Sequence, residues 1–367
     1  MKIKAAVVRQ AGADFSIESV ELDAPRDDEV LVRIAAVGVC HTDLLGRDGL
    51  MPVQLPAVLG HEGAGVVEQV GAAVTKVAVG DRVAISFRSC GHCSRCQAGD
   101  PAYCDTMPFL NYIGMRLDGS KALRDGDGAV SSNFFGQSSF ATHALTYERN
   151  LVPLAADVPF EIAGPLGCGI QTGAGGIIRA LACERGSALL ITGAGAVGLS
   201  AVMGAVIQGC ATIIAVEPQA DRRALALELG ATHVIDPATT GNLAEAVKAI
   251  ANAGVHYAFD STGRGEILGA AFACLAPKGV LGIVGVPPPG TPMPGPIDLM
   301  LVLGLTVRGI IEGDSDPETF IPELIGHWRA GRLPLEKLIA TFPMAQVNEA
   351  VAAQHRGDCV KAVLIND

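Results

Sequence analysis

Leu189-Leu190-Ile191-Thr192-Gly193-Ala194-Gly195-Ala196-Val197-Gly198 is the stretch on which the reading of the fold turns. A short apolar run ends in G-x-G-x-x-G, and Val197–Ile207 then reads as a helix. The next apolar run, Ile213–Val216, is closed by an acid, Glu217, at the spacing of a dinucleotide fingerprint. Glycines in this setting let the backbone approach a pyrophosphate at the helix N-terminus, where unpaired N–H groups and the helix dipole favour anions. Gly193, Gly195, Ala196, Val197 and Gly198 are therefore expected to cradle a dinucleotide. Glu217 is expected to accept from both adenosine ribose hydroxyls. A 2′-phosphate there would meet a like charge, about 4 kcal/mol per unit pair at ~4 Å and an effective dielectric of ~20. NAD is expected over NADP, although Arg222 and Arg223 offer a cationic seat that would blur the preference.

Outward from this turn the texture is one of alternation. Ala188–Thr192, Thr212–Val216, His233–Ile235, Tyr257–Asp260, Val280–Val286 and Thr306–Ile311 are apolar, β-branched runs. Between them lie helical patterns such as Asp221–Leu229, ended by Gly230, and Leu243–Asn252. Such alternation predicts an α/β region with a doubly wound parallel sheet of Rossmann type. No charged residue occurs from Gly186 to Val216, long enough to span a bilayer, yet five glycines interrupt it. A buried parallel-sheet unit has the same hydropathy, so no membrane span is expected. Six prolines between Pro287 and Pro296 mark a loop.

The chain before this region is different. Val30–Val37, Gly63–Val70, Arg82–Ser86 and Ser139–Leu145 are short β-like runs broken by glycine, which predicts an irregular, mainly β domain. The tail carries a helix around Phe320–Ala330 and a closing strand near Val360–Ile365 that would rejoin the first domain. The expected division is 1–169, 170–312 and 313–367, the last part belonging with the first.

A length of 367 residues suits two domains, and 18% charged with 49% hydrophobic residues is an ordinary globular composition. The net charge of −11 argues against a nucleic-acid surface. Met1–Phe15 scatters Lys2, Lys4 and Arg9 around a very short apolar run, so no secretory signal is expected and the location is expected to be cytoplasmic. Cysteines at metal spacing then read as zinc ligands rather than disulfides. Cys90-x₂-Cys93-x₂-Cys96-x₇-Cys104 can wrap one zinc in a closed, structural shell of four thiolates. Cys40, His61 and Cys168 offer two thiolates and one imidazole, an open set that leaves a fourth position for substrate. Beside them, Asp43 is placed to orient a ligand histidine, Thr42 to take a proton from the alcohol, and Glu62 to act as a transient ligand or supporting acid. Cys183, Cys210, Cys274 and Cys359 read as buried apolar residues.

With these phrases in view, the chain resembles the zinc-dependent medium-chain alcohol dehydrogenases over essentially its whole length. The resemblance rests on Cys40–Asp43, Gly60–Gly65, the Cys90–Cys104 lobe, Gly164–Gly169, Gly193–Gly198 and Ile283-Val284-Gly285-Val286-Pro287-Pro288. Within that family it is most similar to bacterial aryl-alcohol (benzyl-alcohol) dehydrogenases, through Cys40–Leu44, Phe134–Thr142 and Gly164–Gly173. The resemblance implies a GroES-like catalytic domain made of the N-terminal part plus the tail, with the Rossmann domain between them. It assigns Cys40, His61 and Cys168 to a catalytic zinc, the four clustered cysteines to a structural zinc, and Thr42 to a proton relay. It implies that His41 and Lys361 meet the pyrophosphate, that Arg222 lies near the adenosine ribose, and that Val197, Thr172 and Val284 line the cofactor. A homotetramer is implied, with a homodimer as the alternative.

One position departs from the family pattern: Leu45 stands where many members carry the histidine that ends the proton relay. The implied reaction is reversible, NAD-dependent oxidation of a primary aromatic alcohol to its aldehyde, with zinc as Lewis acid and hydride transfer to nicotinamide. Allylic terpene-alcohol, short-chain alkanol and glutathione-adduct formaldehyde dehydrogenases are the rivals within the class. A polyol dehydrogenase fits less well, since that branch usually has a carboxylate where Cys168 stands. A non-catalytic, NAD-binding thiol redox sensor is the rival outside it. Met107, Phe109, Leu110 and Met300 are candidate substrate-wall residues that ordinary core packing would explain equally well.

Overall fold

The apolar runs around the glycine turn enter one sheet. In the computed structural model, which describes residues 1–126 and 128–366, the spatial order is His233–Ile235, Thr212–Val216, Ala188–Thr192, Val255–Asp260, Leu275–Ile283 and Thr306–Gly309. Every neighbouring pair is parallel. Numbered within this region the order is 3-2-1-4-5-6, the doubly wound Rossmann arrangement, whose order reverses beside the first strand. All five residues of Ala188–Thr192 are buried, as expected for a strand covered on both faces. Leu190, Ile214, Val247, Ala258, Phe272 and Leu281 belong to the core under the sheet. Each large side chain fully buried there contributes about 1.5–3 kcal/mol of transfer free energy.

Several element ends differ from the sequence expectation. The strand expected over Val280–Val286 runs Leu275–Ile283 instead. It stops because the Val284 and Gly285 N–H groups both donate to the Asp260 carbonyl, at 2.9 and 3.1 Å, and turn the chain out of the ladder. The last strand ends at Gly309 rather than Ile311, and a helix, Ile297–Leu303, follows the proline-rich loop.

A second region is mainly β. Its larger sheet has the order Leu151–Pro153, Arg82–Ile85, Gly63–Val70, Glu29–Gly38, Lys361–Ile365 and Ile339–Pro343, with His143–Tyr147 also paired to Glu29–Gly38. The tail strand Lys361–Ile365 lies antiparallel to Glu29–Gly38, with Val363 opposite Gly38. Residues some 320 positions apart in sequence therefore share one ladder. The run expected as a strand over Ser139–Leu145 joins the ladder only from His143. Ser138 just before it has φ +59°. Ser139 and Phe140 make separate bonds, donating to the carbonyls of Gly60 and Leu59 at 2.8 and 2.9 Å.

The chain divides into two compact units, Met1–Cys168 with Asp316–Gly326 and Leu335–Asp367, and Gly169–Ser315 with His327–Pro334. Residues 313–315 and 327–334, expected with the tail, and Gly169, expected with the first part, group with the Rossmann unit instead. Ser315 Oγ donates to Gln171 Oε1 at 3.2 Å, and Arg308 pairs with Asp314 at 2.5 Å. Among the described residues, no helix is long and apolar enough to cross a membrane.

Candidate metal centre and nucleotide cradle

Cys40 ends the strand region of Glu29–Gly38 and caps the helix His41–Arg47, its backbone extended at φ −120°, ψ 155°. Its N–H donates to Asp43 Oδ2 at 3.0 Å, which ties the carboxylate back over the cap. Asp43 Oδ1 accepts from Gly60 N–H at 3.0 Å and from His61 Nδ1–H at 2.7 Å. With a carboxylate as partner, Nδ1 carries a proton, and Nε2 is the nitrogen left to bind a metal. That Nε2 atom is buried and has no hydrogen-bond partner. Gly60 has φ +88°, and a Cβ there would overlap Phe140 at 2.5 Å, so only glycine allows this approach to His61.

Cys168 follows the helix Phe160–Leu166. Added Cβ atoms at Gly164 and Gly167 would meet the Glu62 and Ile85 carbonyls at 2.6 and 2.3 Å. The two glycines thus let this segment press onto the Arg82–Ile85 strand and the loop that carries His61 and Glu62. One ligand atom each from Cys40, His61, Glu62 and Cys168 lies within 4.8 Å of all the others. A central zinc with bonds of about 2.0–2.3 Å spans that distance. The neighbouring Cys168 thiol, then the His61 imidazole, hold Cys40 well below the ordinary thiol range despite burial. Burial pushes His61 down, but the Asp43 charge and hydrogen bond, with Cys40, carry it well above the ordinary imidazole value. The pocket therefore already favours separated charge where a cation would replace the imidazole proton.

Glu62 is buried, and its Oε2 meets Lys361 Nζ at 2.5 Å. Lys361 also donates to the Val39 carbonyl at 3.0 Å and is only 2% exposed. Burial raises Glu62 above the usual carboxylate range while the Lys361 charge opposes it. Thr42 Oγ1 lies 3.7 Å from Cys40 Sγ. His41, one residue earlier, is exposed.

The Phe134–Thr142 phrase supplies support that the residue types alone did not reveal. The Phe135 ring stacks on the His61 imidazole at 4.4 Å, and Phe134 meets it edge-on at 5.7 Å. Gln137 donates to the His61 carbonyl at 2.8 Å and accepts from Gly63 N–H at 3.1 Å. A run of two aromatics and an amide signals such a scaffold only once the turn at Phe135, φ 52°, is known.

Cys90, Cys93, Cys96 and Cys104 also gather within 4.8 Å. Cys90 and Cys96 sulfurs are 3.9 Å apart, and those of Cys93 and Cys104 are 4.0 Å apart. A tetrahedron with zinc–sulfur bonds of about 2.3 Å has edges of roughly 3.8 Å, whereas a disulfide bond is about 2.05 Å long. The N–H groups of Cys90 and Cys93 donate to Cys104 and Cys90 sulfurs. Met107 and Leu110, candidates for the substrate wall, instead pack behind these cysteines. Phe109 is exposed, and Met300 packs against the Rossmann core.

In the Rossmann unit the three glycines have separate duties. Gly193 has φ +88°, and a Cβ on Gly198 would fall 1.8 Å from the Gly193 carbonyl oxygen. At Gly195 a Cβ would meet nothing within 4 Å, so this is the face left open to a ligand at the start of helix Ala196–Gln208. Glu217 accepts from Ala194 N–H at 2.8 Å and from Gln219 N–H at 3.0 Å. Arg223 is committed elsewhere: it donates to the Glu217 and Pro218 carbonyls at 2.7 Å and pairs with Asp236 at 3.0 Å. Arg222 and Val197 are partly exposed on the helices after these turns. Thr172 donates to Glu312 Oε2 at 3.4 Å, and Val284 follows the fifth strand. Of the four additional cysteines, Cys183 and Cys274 are buried, but Cys210 and Cys359 are only partly so.

Residues 26–156 match the family model for the alcohol dehydrogenase GroES-like domain, and residues 196–326 that for zinc-binding dehydrogenase. A geraniol dehydrogenase from Castellaniella defragrans is 48% identical over 99% of this chain and 97% of its own. An alcohol dehydrogenase zinc-binding domain protein from Burkholderia ambifaria superposes with a TM-score of 0.97 at 48% identity, covering 100% of this chain and 99% of that one. The benzyl alcohol dehydrogenase of Acinetobacter calcoaceticus does so with a TM-score of 0.96 at 42% identity, covering 100% of both chains.

Proposed function

The chain belongs to the zinc-dependent medium-chain alcohol dehydrogenase family, and on that premise we propose that it oxidises primary benzyl-type alcohols reversibly to aldehydes with NAD⁺. The observation that carries the proposal is the buried, partnerless His61 Nε2, held toward Cys40 and Cys168 by the Asp43 carboxylate. In this reading Cys40, His61 and Cys168 hold a catalytic zinc, and Cys90, Cys93, Cys96 and Cys104 hold a structural one. When bound, the catalytic zinc supplies Lewis-acid stabilisation of charge on the alcohol oxygen, and NAD⁺ accepts the hydride.

The remaining chemistry belongs to side chains. Asp43 fixes the His61 tautomer and orientation. Thr42 accepts the hydroxyl proton at Oγ1. Leu45, at the family's usual relay histidine, offers no group to receive the proton that Thr42 would pass on. Lys361 neutralises Glu62, so the pocket keeps a carboxylate in reserve without adding net charge. The NAD preference is supported by Glu217, and Arg223 is engaged with Asp236 rather than offered to a 2′-phosphate. We place the assembly as a homotetramer acting on small alcohols, in the cytoplasm.

A second reading, an allylic terpene alcohol, is favoured by the 48% identical geraniol dehydrogenase. Both substrate types place an unsaturated carbon beside the carbinol. Initial rates of NAD⁺ reduction with benzyl alcohol, geraniol and ethanol, measured in parallel on metal-replete enzyme, test the choice. Benzyl alcohol is expected to lead. Geraniol leading would move the substrate to the second reading, and ethanol leading would refute both.

A further inference from the structure

Two cysteines of the Rossmann unit lie outside both metal clusters and are brought together by backbone pairing. Gly186 N–H donates to the Gly209 carbonyl at 2.8 Å, and Ala211 N–H donates to the Ser187 carbonyl at 2.9 Å. The segments that carry Cys183 and Cys210 therefore run side by side. The Cys183 and Cys210 side chains lie close enough to interact. Ser187 Oγ donates to the Cys210 sulfur at 3.5 Å. Cys183 is 3% exposed, whereas Cys210 is reachable by solvent. Cys210 thus accepts from Ser187 and is partly exposed, with a shielded thiol beside it.

From this geometry we infer that Cys210 and Cys183 form a peroxide-responsive thiol pair, Cys210 attacking and Cys183 resolving. The environment suits the roles. The neighbouring Cys183 thiol, with the Ser187 hydrogen bond, holds Cys210 down to about 7 against its burial, so much of it is thiolate at neutral pH. The neighbouring Cys210 sulfur and burial push Cys183 far up, leaving it the proton donor. The neighbouring ionisable groups are Tyr257, Glu184 and Arg185, whose side chain lies against Gly209. A solvent-reachable, low-pKa thiol beside a second cysteine is the arrangement found in redox-sensing sites.

The step balances with a hydroperoxide as oxidant. The Cys210 thiolate attacks one peroxide oxygen, the S–O bond forms, the O–O bond breaks, and hydroxide leaves to become water. The Cys183 sulfur then attacks the Cys210 sulfur, forming S–S and breaking S–O. The Cys183 proton goes to the departing hydroxide as a second water. Two thiols are oxidised by two electrons, and one hydrogen peroxide is reduced to two waters.

The test is a non-reducing tryptic map of the metal-replete enzyme after a stoichiometric dose of hydrogen peroxide, with metal content checked before and after. Cleavage at Arg179, Arg185 and Arg222 puts the two cysteines on separate peptides, 180–185 and 186–222. The expected result is a disulfide joining them, removed by dithiothreitol. Cys183→Ser should leave a Cys210 sulfenic acid captured by dimedone, and Cys210→Ser should leave Cys183 reduced. Recovery of both residues as free thiols in the parent, or oxidation of Cys183 in Cys210→Ser, would overturn the inference.

Discussion

Replacing Asp43 by Asn tests how far the metal centre depends on one buried carboxylate. Asp43 is 0% exposed and takes three hydrogen bonds, two at Oδ1 and one at Oδ2. An amide can keep its oxygen toward His61 and Gly60, but its NH₂ then faces the Cys40 N–H, donor against donor. One bond to a charged acceptor is lost, about 1.5–3 kcal/mol. The negative charge that fixes the imidazole is lost as well. Removing such a supporting group costs about 10–100-fold in metal affinity, or about 1.4–2.7 kcal/mol. Zinc retention against a competing chelator, followed together with benzyl-alcohol turnover and unfolding by denaturant, separates the two effects. The variant should lose one zinc per chain at lower chelator concentration while the other stays. A chelator curve and a kcat equal to those of the parent would refute the claim that Asp43 orients the ligand histidine.

The two metal clusters should respond differently to loss of one thiol. Cys168→Ala should abolish turnover with the fold intact, whereas Cys93→Ala should lower the unfolding midpoint, since a structural zinc contributes folding energy; activity assays with denaturant titrations check both. Glu217→Gln should raise kcat/KM with NADP⁺ relative to NAD⁺ by about tenfold or more, a fraction of the ~4 kcal/mol repulsion removed. Leu45→His should speed turnover at lower pH by restoring a relay group, and an unchanged pH–rate profile would count against it. Glu148 accepts from the N–H groups of Thr75 and Lys76 at 2.8 and 2.9 Å, which hold it below the usual carboxylate range. Its folded value is depressed, so its stabilisation is present above about pH 4.3 and is lost as pH falls through the folded value. The stability gap between parent and Glu148→Gln should therefore shrink on acidification below pH 4–5, as read from denaturant midpoints.

Periodic and local features were readable without a structure. The strand–turn–helix of Ala188–Gln208 follows from an apolar run, three glycines and a small-residue helix, all within some twenty positions. The four-cysteine lobe is equally local, since its ligands fall within fifteen residues. Ends of elements were read less well where a hydrogen bond from elsewhere decided them. Asp260, on a neighbouring strand, stops the run at Ile283. The positive φ of Ser138 delays the ladder to His143.

Sequence by itself determined the class of chemistry and the Rossmann half, because glycine spacing and cysteine spacing act through the nearest few residues. Tertiary structure decided what surrounds those residues. It stacked Phe135 on His61, turned Met107 and Leu110 into packing behind the cysteine lobe, buried Lys361 against Glu62, and set Cys183 beside Cys210. Apart from the packing behind the cysteine lobe, these depend on ladders or turns between segments separated in sequence, such as Lys361–Ile365 on Glu29–Gly38. Side-chain neighbours across such gaps are set by register and by the close approaches that Gly60, Gly164 and Gly167 permit, quantities that no local pattern encodes.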